Sequence, residues 1–392
     1  MLVSGASIAG PAVAYWLSRY GYAVTVVERA DRLRTAGQNI DVRGAGREVA
    51  RRMGVEEEIL AANTGEVGTR FLGPDGRTIA ELPAGEGDSD GATAELEILR
   101  GQLARLLVDL TERDVEYVFG DQVTRLDQDD GVTVGFDKAA DRRFDLVVVA
   151  EGMRSRTRDL VFGDEVEVRD LGLYTAYCAI PRTPEDTAWW FWYNAPGGRT
   201  VSLRPDNVGS TRATLTLLSP SMGYEELEPA EQRRMLKERF ADVGWQAPRV
   251  LAALDEADEL YLEYTGQVLA PTWSRGRVVL VGDAAYCASP VSGMGTSLAF
   301  TGAYVLAGEL AAHTHHRDAF ARFEERLRPY VEQAQDLPPG VPRIAHPKST
   351  WGIGLFHAAV RVAASRPGRA VGGRLFTPPA ERFDLPDYSH LG

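Results

Sequence analysis

The chain has 392 residues, 44% of them hydrophobic and 25% charged, with 43 Lys and Arg against 56 Asp and Glu and a formal net charge of −13. That length supports two cored domains of ordinary globular composition, and the acidic balance argues against nucleic acid or a membrane surface as a partner. Cys178 and Cys287 lie far apart and outside any CxxC pattern, which argues against a disulfide framework or a thiolate metal site.

Met1 to Ser4 reads as a buried strand. It runs into Gly5-Ala6-Ser7-Ile8-Ala9-Gly10, a helix from Pro11 to Tyr20 with Ala12, Tyr15 and Trp16 at helical spacing, and a second strand from Tyr22 that ends at Glu28-Arg29. This βαβ unit of about 30 residues carries most of a dinucleotide fingerprint. Gly5 allows the tight turn, Gly10 allows close helix–strand packing, and Glu28 can accept hydrogen bonds from a ribose; Ser7 stands at the middle glycine position. No signal-like segment precedes the first strand and no apolar run reaches membrane-spanning length, so a cytoplasmic protein is expected.

Gly37 to Gly44 is a polar loop whose Arg43 either faces a phosphate or is solvated. A helix is expected over Arg47 to Leu60, and a hairpin over Arg70 to Leu82 around Pro74-Asp75-Gly76. Ala84 to Gly91 reads as an exposed Gly/Asp/Ser-rich loop and Ala94 to Leu99 as a strand. Arg100 opens a helix through Leu110, against the preference of a helix start for acids, and so invites a phosphate partner. Val115 to Val134 reads as a β-meander with a turn at Asp129-Asp130-Gly131. Phe144 to Ala150 reads as a buried strand that ends at Glu151-Gly152, with Ser155 and Arg158 in the turn beyond.

From Val166 to Gln267 the texture becomes alternating and aromatic. Strands are expected over Leu173 to Ile180, Ala188 to Tyr193, Arg199 to Arg204 and Arg212 to Leu218, with a helix over Pro229 to Phe240. In the run Trp189-Trp190-Phe191-Trp192-Tyr193 alternate members face opposite sides, so half belong to a core and the rest, Trp190 and Trp192 among them, can line an apolar pocket. Arg204 and Arg212 either orient a polar substrate from this sheet or lie at its surface.

Arg277 to Val281 is again an apolar strand, closed by Gly282-Asp283; Pro290, Gly293, Met294 and Gly295 shape a loop before a helix over Thr296 to His313. A carboxylate at a strand end can hold sugar or ribityl hydroxyls, and a helix N-terminus suits an anionic group. His313, His315 and His316 read as a solvated helix end rather than a metal site. An amphipathic helix over Arg317 to Gln333, a Pro-Pro-Gly linker near 337–342, a helix over Ser349 to Ser365 and an extended tail complete the chain.

The segments Gly5–Gly10 with Glu28, Asp145–Arg158 and Gly282–Gly295 together resemble the single-component (class A) FAD-dependent aromatic hydroxylases. The short members that inactivate tetracyclines are similar in length and layout. The resemblance implies an α/β fold: a Rossmann-like FAD-binding domain (1–70, 94–165 and 268–335), an inserted, mostly antiparallel substrate domain (71–93 and 166–267), and a C-terminal helix and tail (336–392). It implies that Asp283 binds the ribityl chain of FAD, Glu28 the adenosine ribose, Arg100 the pyrophosphate region and Arg43 the flavin neighbourhood. The Pro290–Gly295 loop would lie near the pyrimidine end of the flavin. Glu151 replaces the family's usual aspartate in a turn tied to FAD and NAD(P)H, Tyr286 a commoner histidine, and Thr301-Gly302 a usual acidic pair. The implied reaction uses NADPH or NADH and molecular oxygen to hydroxylate or epoxidise a bulky aromatic or polycyclic molecule through a flavin C4a-hydroperoxide, with no catalytic side chain required and a monomer or weak homodimer as the working form. A reductase or saturase of the same fold and a non-catalytic FAD-binding protein are the alternatives. A halogenase is disfavoured because the first lysine is Lys138, and a plain NAD-dependent dehydrogenase leaves the Asp283 loop unexplained.

Overall fold

Four short runs, Leu2–Ser4, Val24–Glu28, Val147–Val149 and Val278–Leu280, are apolar almost throughout and almost wholly buried. Strands of this kind pair in parallel with both faces covered. The computed structural model, which describes residues 1–34, 37–84, 96–257, 260–365 and 383–391, places them at the centre of a six-stranded sheet. Its order is Ser274–Arg275, Val278–Leu280, Val147–Val149, Leu2–Ser4, Val24–Glu28 and Val115–Phe119, and all but the first strand run parallel. Val115–Phe119 therefore leaves the expected meander and joins the main sheet beside Val24–Glu28. The strands that follow it, Val123–Gln128, Val132–Phe136 and Arg142–Phe144, form a separate antiparallel sheet.

The expected helix over Arg47 to Leu60 is two helices, Gly44–Met53 and Glu56–Ala61. Gly54 divides them: it sits in the left-handed region at φ 76°, the usual way for a helix to end on glycine. The expected loop from Ala84 to Gly91 and the start of the Ala94 strand fall largely outside the described residues, as does the tail over 366–382.

The second sheet has seven strands in the order Leu260–Leu269, Glu167–Pro181, Ser210–Leu218, Arg199–Pro205, Trp190–Ala195, Gly68–Leu72 and Thr78–Pro83. One face carries Tyr174, Ala176, Val201, Leu203 and Leu215 against the helices Pro229–Phe240 and Ala247–Ala253. Because side chains alternate along a strand, the register gives the other face a row of polar and aromatic residues. Across it Trp192 lies opposite Ser202, Arg204 opposite Arg212, Thr175 opposite Glu263 and Tyr177 opposite Tyr261.

Two long helices join the halves. Gly295–Ala312 is buried along most of its length. His316–Gln335 ends at Gln335, which donates to the carbonyls of Val268 at 2.7 Å and Cys287 at 3.1 Å and accepts from Gln267 at 2.8 Å. Residues 383–391 return to the first helix: the Tyr388 hydroxyl donates to Glu309, and a Cβ on Gly308 would lie 2.2 Å from the Tyr388 ring. The connecting segment Val341–Ala345 is seated on the seven-stranded sheet. Asn194 donates to the Ala345 carbonyl at 2.8 Å, and Thr200 Oγ1 lies 2.6 Å from Nδ1 of buried His346.

Tyr286 and Gly302, where the resemblance implies other residues, pack directly against one another. Tyr286 is fully buried against Trp273, and its hydroxyl stands 2.0 Å from where a Gly302 Cβ would be. The larger ring at 286 needs the missing side chain at 302. Gly302→Ala should therefore cost about 1–3 kcal/mol of stability in urea unfolding. Added to Tyr286→His, the same change should cost at least about 0.5 kcal/mol less, a coupling read directly from the double-mutant cycle.

Burial lowers the His346 imidazole to a pKa of about 4. The fold thus favours the neutral ring. This contribution is complete above the unfolded value near 6.5 and is lost as pH falls through the folded value, by up to about 3 kcal/mol. Urea midpoints measured between pH 7 and pH 4 should fall less steeply for His346→Gln than for the wild type.

Candidate active site

The Gly5–Gly10 turn sits at the carboxyl end of the first parallel strand. Gly5 has φ +106°, and a Cβ there would lie 2.5 Å from the Ala150 carbonyl oxygen; a Cβ on Gly10 would lie 1.8 Å from that of Gly5. Only bare backbone permits this turn to rest on the neighbouring strand end, with Ile8 and Ala9 buried behind it. Ser7 at the middle position stays accessible, and its hydroxyl accepts from Arg100 Nη1 at 3.2 Å. Arg100 Nε is buried and has no hydrogen-bond partner among the described residues. A cation set at a helix start beside a glycine turn is the donor set a pyrophosphate requires.

Glu28 ends the second strand, and its two carboxylate oxygens accept from the backbone of Ala6 at 2.9 Å and Ala30 at 3.0 Å. These bonds fix the carboxylate and leave lone pairs for a ribose. Its neighbour Arg29 is exposed.

Glu151 is placed at the adjoining strand end, but its side chain turns inward. It accepts from Ser4 Oγ, from Ser155 Oγ at 2.7 Å, and from Thr157 N at 3.0 Å and Oγ1 at 2.5 Å. It serves the start of the helix Arg156–Phe162 and the strand beneath, while beside Gly152 a Cβ would meet nothing within 4 Å. Arg158 ties this turn to the late loop through the carbonyls of Met153 at 2.8 Å and Ala284 at 3.4 Å.

The late loop closes the site. Gly282 packs on Ala9, where an added Cβ would lie 2.9 Å from the Ala9 methyl, so the first and last motifs touch. Asp283 is accessible from the cleft yet enclosed by protein. Burial pushes its carboxyl above the ordinary aspartate value, against the pull of Arg100. Its Oδ1 lies 4.0 Å from the Cβ position of Gly295, the first residue of the helix Gly295–Ala312. That helix has no side-chain cap, so its first N–H groups are left for a ligand. Pro290 and Gly293 shape the approach, Met294 is buried beneath it, and Ser289 holds the corner at φ +80°, a strained conformation for a residue with a side chain.

Arg43 is buried and ion-paired with Asp41 at 3.0 Å. Its backbone N–H donates to Ser297 Oγ at 3.0 Å, and the same hydroxyl donates back to its carbonyl at 3.1 Å, which locks this segment to the first turn of the Gly295 helix.

The seven-stranded sheet supplies the opposite wall. Trp190 and Trp192 share its cleft-side face, edge to face at 5.5 Å, while Phe191 and Tyr193 turn to the core around Trp245. Arg204 lies 4.4 Å over the Trp190 ring and is ion-paired with Glu66 at 2.7 Å and with Glu97. Burial raises both carboxyls, against the pull of the arginine they share. Arg212 is paired with Asp206 at 3.1 Å. Neither arginine is an unmatched cation awaiting an anionic substrate.

Sequence reasoning missed a second polar group on this wall. Glu263 accepts from Tyr177 Oη at 3.0 Å; the Tyr177 and Tyr261 rings stack at 6.0 Å, and Arg100 lies 5.7 Å from the Tyr261 ring. Burial raises the Glu263 carboxyl and, with it, the Tyr177 phenol. The signal was present in the alternation of Tyr261, Glu263, Thr265 and Gln267 with Leu262, Tyr264 and Val268.

Glycine cradle, guanidinium, two strand-end carboxylates and an uncapped helix start are the donor set that FAD needs, and the residues present fit that cofactor. Comparison with known proteins agrees. Residues 1–337 match the family model described as FAD binding domain. A flavin-dependent monooxygenase, eupH, of Phoma sp is 34% identical, over 100% of this chain and 98% of its own, and one from Legionella longbeachae is 35% identical over 86% of each. The crystal structure of the tetracycline destructase Tet(51) superposes with a TM-score of 0.82 at 31% identity, covering 99% of both chains. HpxO of Klebsiella pneumoniae, solved with FAD and uric acid, shares the fold with a TM-score of 0.76 at 22% identity, over 95% of this chain and 94% of its own. The chain belongs to the FAD-binding family of class A flavin-dependent monooxygenases.

Proposed function

We propose that this monooxygenase takes electrons from NADPH or NADH and inserts one atom of dioxygen, by hydroxylation or epoxidation, into a bulky aromatic or polycyclic small molecule. The observation that carries the substrate class is the aromatic pair formed by Trp190 and Trp192 on one face of the seven-stranded sheet. A flat, apolar ligand finds on it offset and edge contacts of the kind aromatic pairs prefer. Among the neighbours of the same fold, HpxO was solved with uric acid and PqsL of Pseudomonas aeruginosa with 2-aminobenzoylacetate, both ring-bearing small molecules. FAD, when bound, supplies the electron storage and oxygen activation, and the protein supplies position and charge.

Each element of the chain has a distinct task in this reading. Asp283 holds ribityl hydroxyls and Glu28 the ribose; Arg100 and the backbone of Ser7 to Gly10 hold the pyrophosphate. The uncapped start of Gly295–Ala312 would stabilise negative charge on the bound flavin. Arg204 and Arg212 are ion-paired within the substrate wall, so neither presents an unpaired cation to an apolar ring.

Purified protein should be yellow. Substitution Asp283→Ala should weaken FAD binding by about 10- to 100-fold, the worth of a charged hydrogen-bond acceptor, with the far-UV spectrum unchanged. With the wild type, phenolic and polyketide compounds should accelerate NADPH or NADH oxidation and yield products heavier by one oxygen atom. A colourless protein, or a turned-over product without added oxygen, would overturn the reading; the latter would establish the reductase alternative.

A further inference from the structure

The four most exposed large apolar side chains among the described residues all fall between positions 344 and 362: Trp351 at 77%, Val362 at 68%, Ile344 at 60% and Leu355 at 58%. Three of them belong to one helix, Thr350–Ala364. Its inner side is accounted for: Ile353, His357 and Val360 are buried, and Phe356 meets Phe71 edge to face at 5.9 Å. Its outer side carries Trp351, Leu355, Ala358, Ala359 and Val362, with Arg361 as the sole charge. A helix apolar on both sides is ordinary in a large core, but here one side faces water.

The charge around this helix is as unusual as its exposure. Between Asp336 and Glu381 the sequence has no acidic residue and six basic ones, within a chain of net charge −13. Arg343, Lys348 and Arg361 are the basic positions there among the described residues. An apolar face with an exposed tryptophan, flanked in the sequence by cations, with Glu81 of the neighbouring strand beside Arg361 at its inner edge, has the composition of a helix that lies in the plane of a bilayer interface. The acidic body does not cancel it, because charges farther from the surface than about 8 Å are screened at physiological ionic strength. No described helix is long and apolar enough to cross a membrane, so the contact is with the surface. A second copy of the chain is the poorer occupant, since a two-fold contact would bring like cations together.

We propose that the outer face of Thr350–Ala364 docks on an anionic lipid bilayer. The proposal concerns the surface alone and does not depend on the substrate class proposed above. The test is flotation of the flavin-loaded protein with vesicles of phosphatidylcholine containing 30% phosphatidylglycerol, and with pure phosphatidylcholine. The bound fraction should be about tenfold higher on the anionic vesicles and should fall severalfold when salt is raised from 0.1 to 0.5 M. The double variant Leu355→Glu, Val362→Glu, with its flavin absorbance retained to show that it folds, should lose the binding. In the wild type the tryptophan emission should shift to the blue on anionic vesicles, and in Trp351→Phe the shift should be largely gone. Absence of binding to either vesicle, or binding that the double variant retains, overturns the proposal. So does a dimer in light scattering that the double variant converts to monomer, which would assign the face to a second copy.

Discussion

The structure depends on backbone meeting backbone at the carboxyl ends of a parallel sheet. Gly5 and Gly10 close the first turn on the Ala150 strand end, and Gly282 brings the last motif against Ala9. Side chains at these points would push the three segments apart. Once they touch, residues separated by nearly the whole chain share one cleft: Ser7 meets Arg100, and Asp283 stands beside the first turn of Gly295–Ala312. The chemistry of the site follows from that approach, because strand ends and helix starts are where unpaired N–H groups and accessible carboxylates occur.

The seven-stranded sheet works through its two sides. One is an ordinary core face closed by Leu236, Phe240 and Val250. The other is neither fully apolar nor freely charged. Its arginines are ion-paired, Arg204 with Glu66 and Glu97 and Arg212 with Asp206, its tryptophans stand among them, and Glu263 is held by Tyr177. This face differs in kind from the cleft wall opposite, where Arg100 and a helix start hold positive potential for an anionic ligand.

The parts of this arrangement legible in the sequence were those governed by local rules. The turn at Gly5–Gly10, the acid at Glu28, the break at Gly282-Asp283 and the alternation through Trp190 and Trp192 each follow from spacing and residue type alone. The parts that were not legible depend on what lies across the fold. Val115–Phe119 has a strand's composition either way, and only its neighbour Val24–Glu28 decides that it runs parallel in the main sheet. Nothing near Glu151 in sequence shows that its carboxylate reaches back to Ser4, or that Arg204 faces two acids from other segments. Likewise the glycine at 302 looks like a lapse in a helix until the Tyr286 hydroxyl is seen to occupy the space.

The seat of Tyr388 on Gly308 and Glu309 has a consequence for the order in which the molecule is made. The helix it covers is the one whose first turn stands beside Asp283. During synthesis that helix emerges about seventy-five residues before the segment that packs its back, at a rate of about 5–20 residues per second. For several seconds its outer surface is bare, and the groove for Tyr388 is filled only when residues 383–391 have cleared the ribosome. Completion of the core behind this helix is thereby tied to a segment translated about seventy-five residues later.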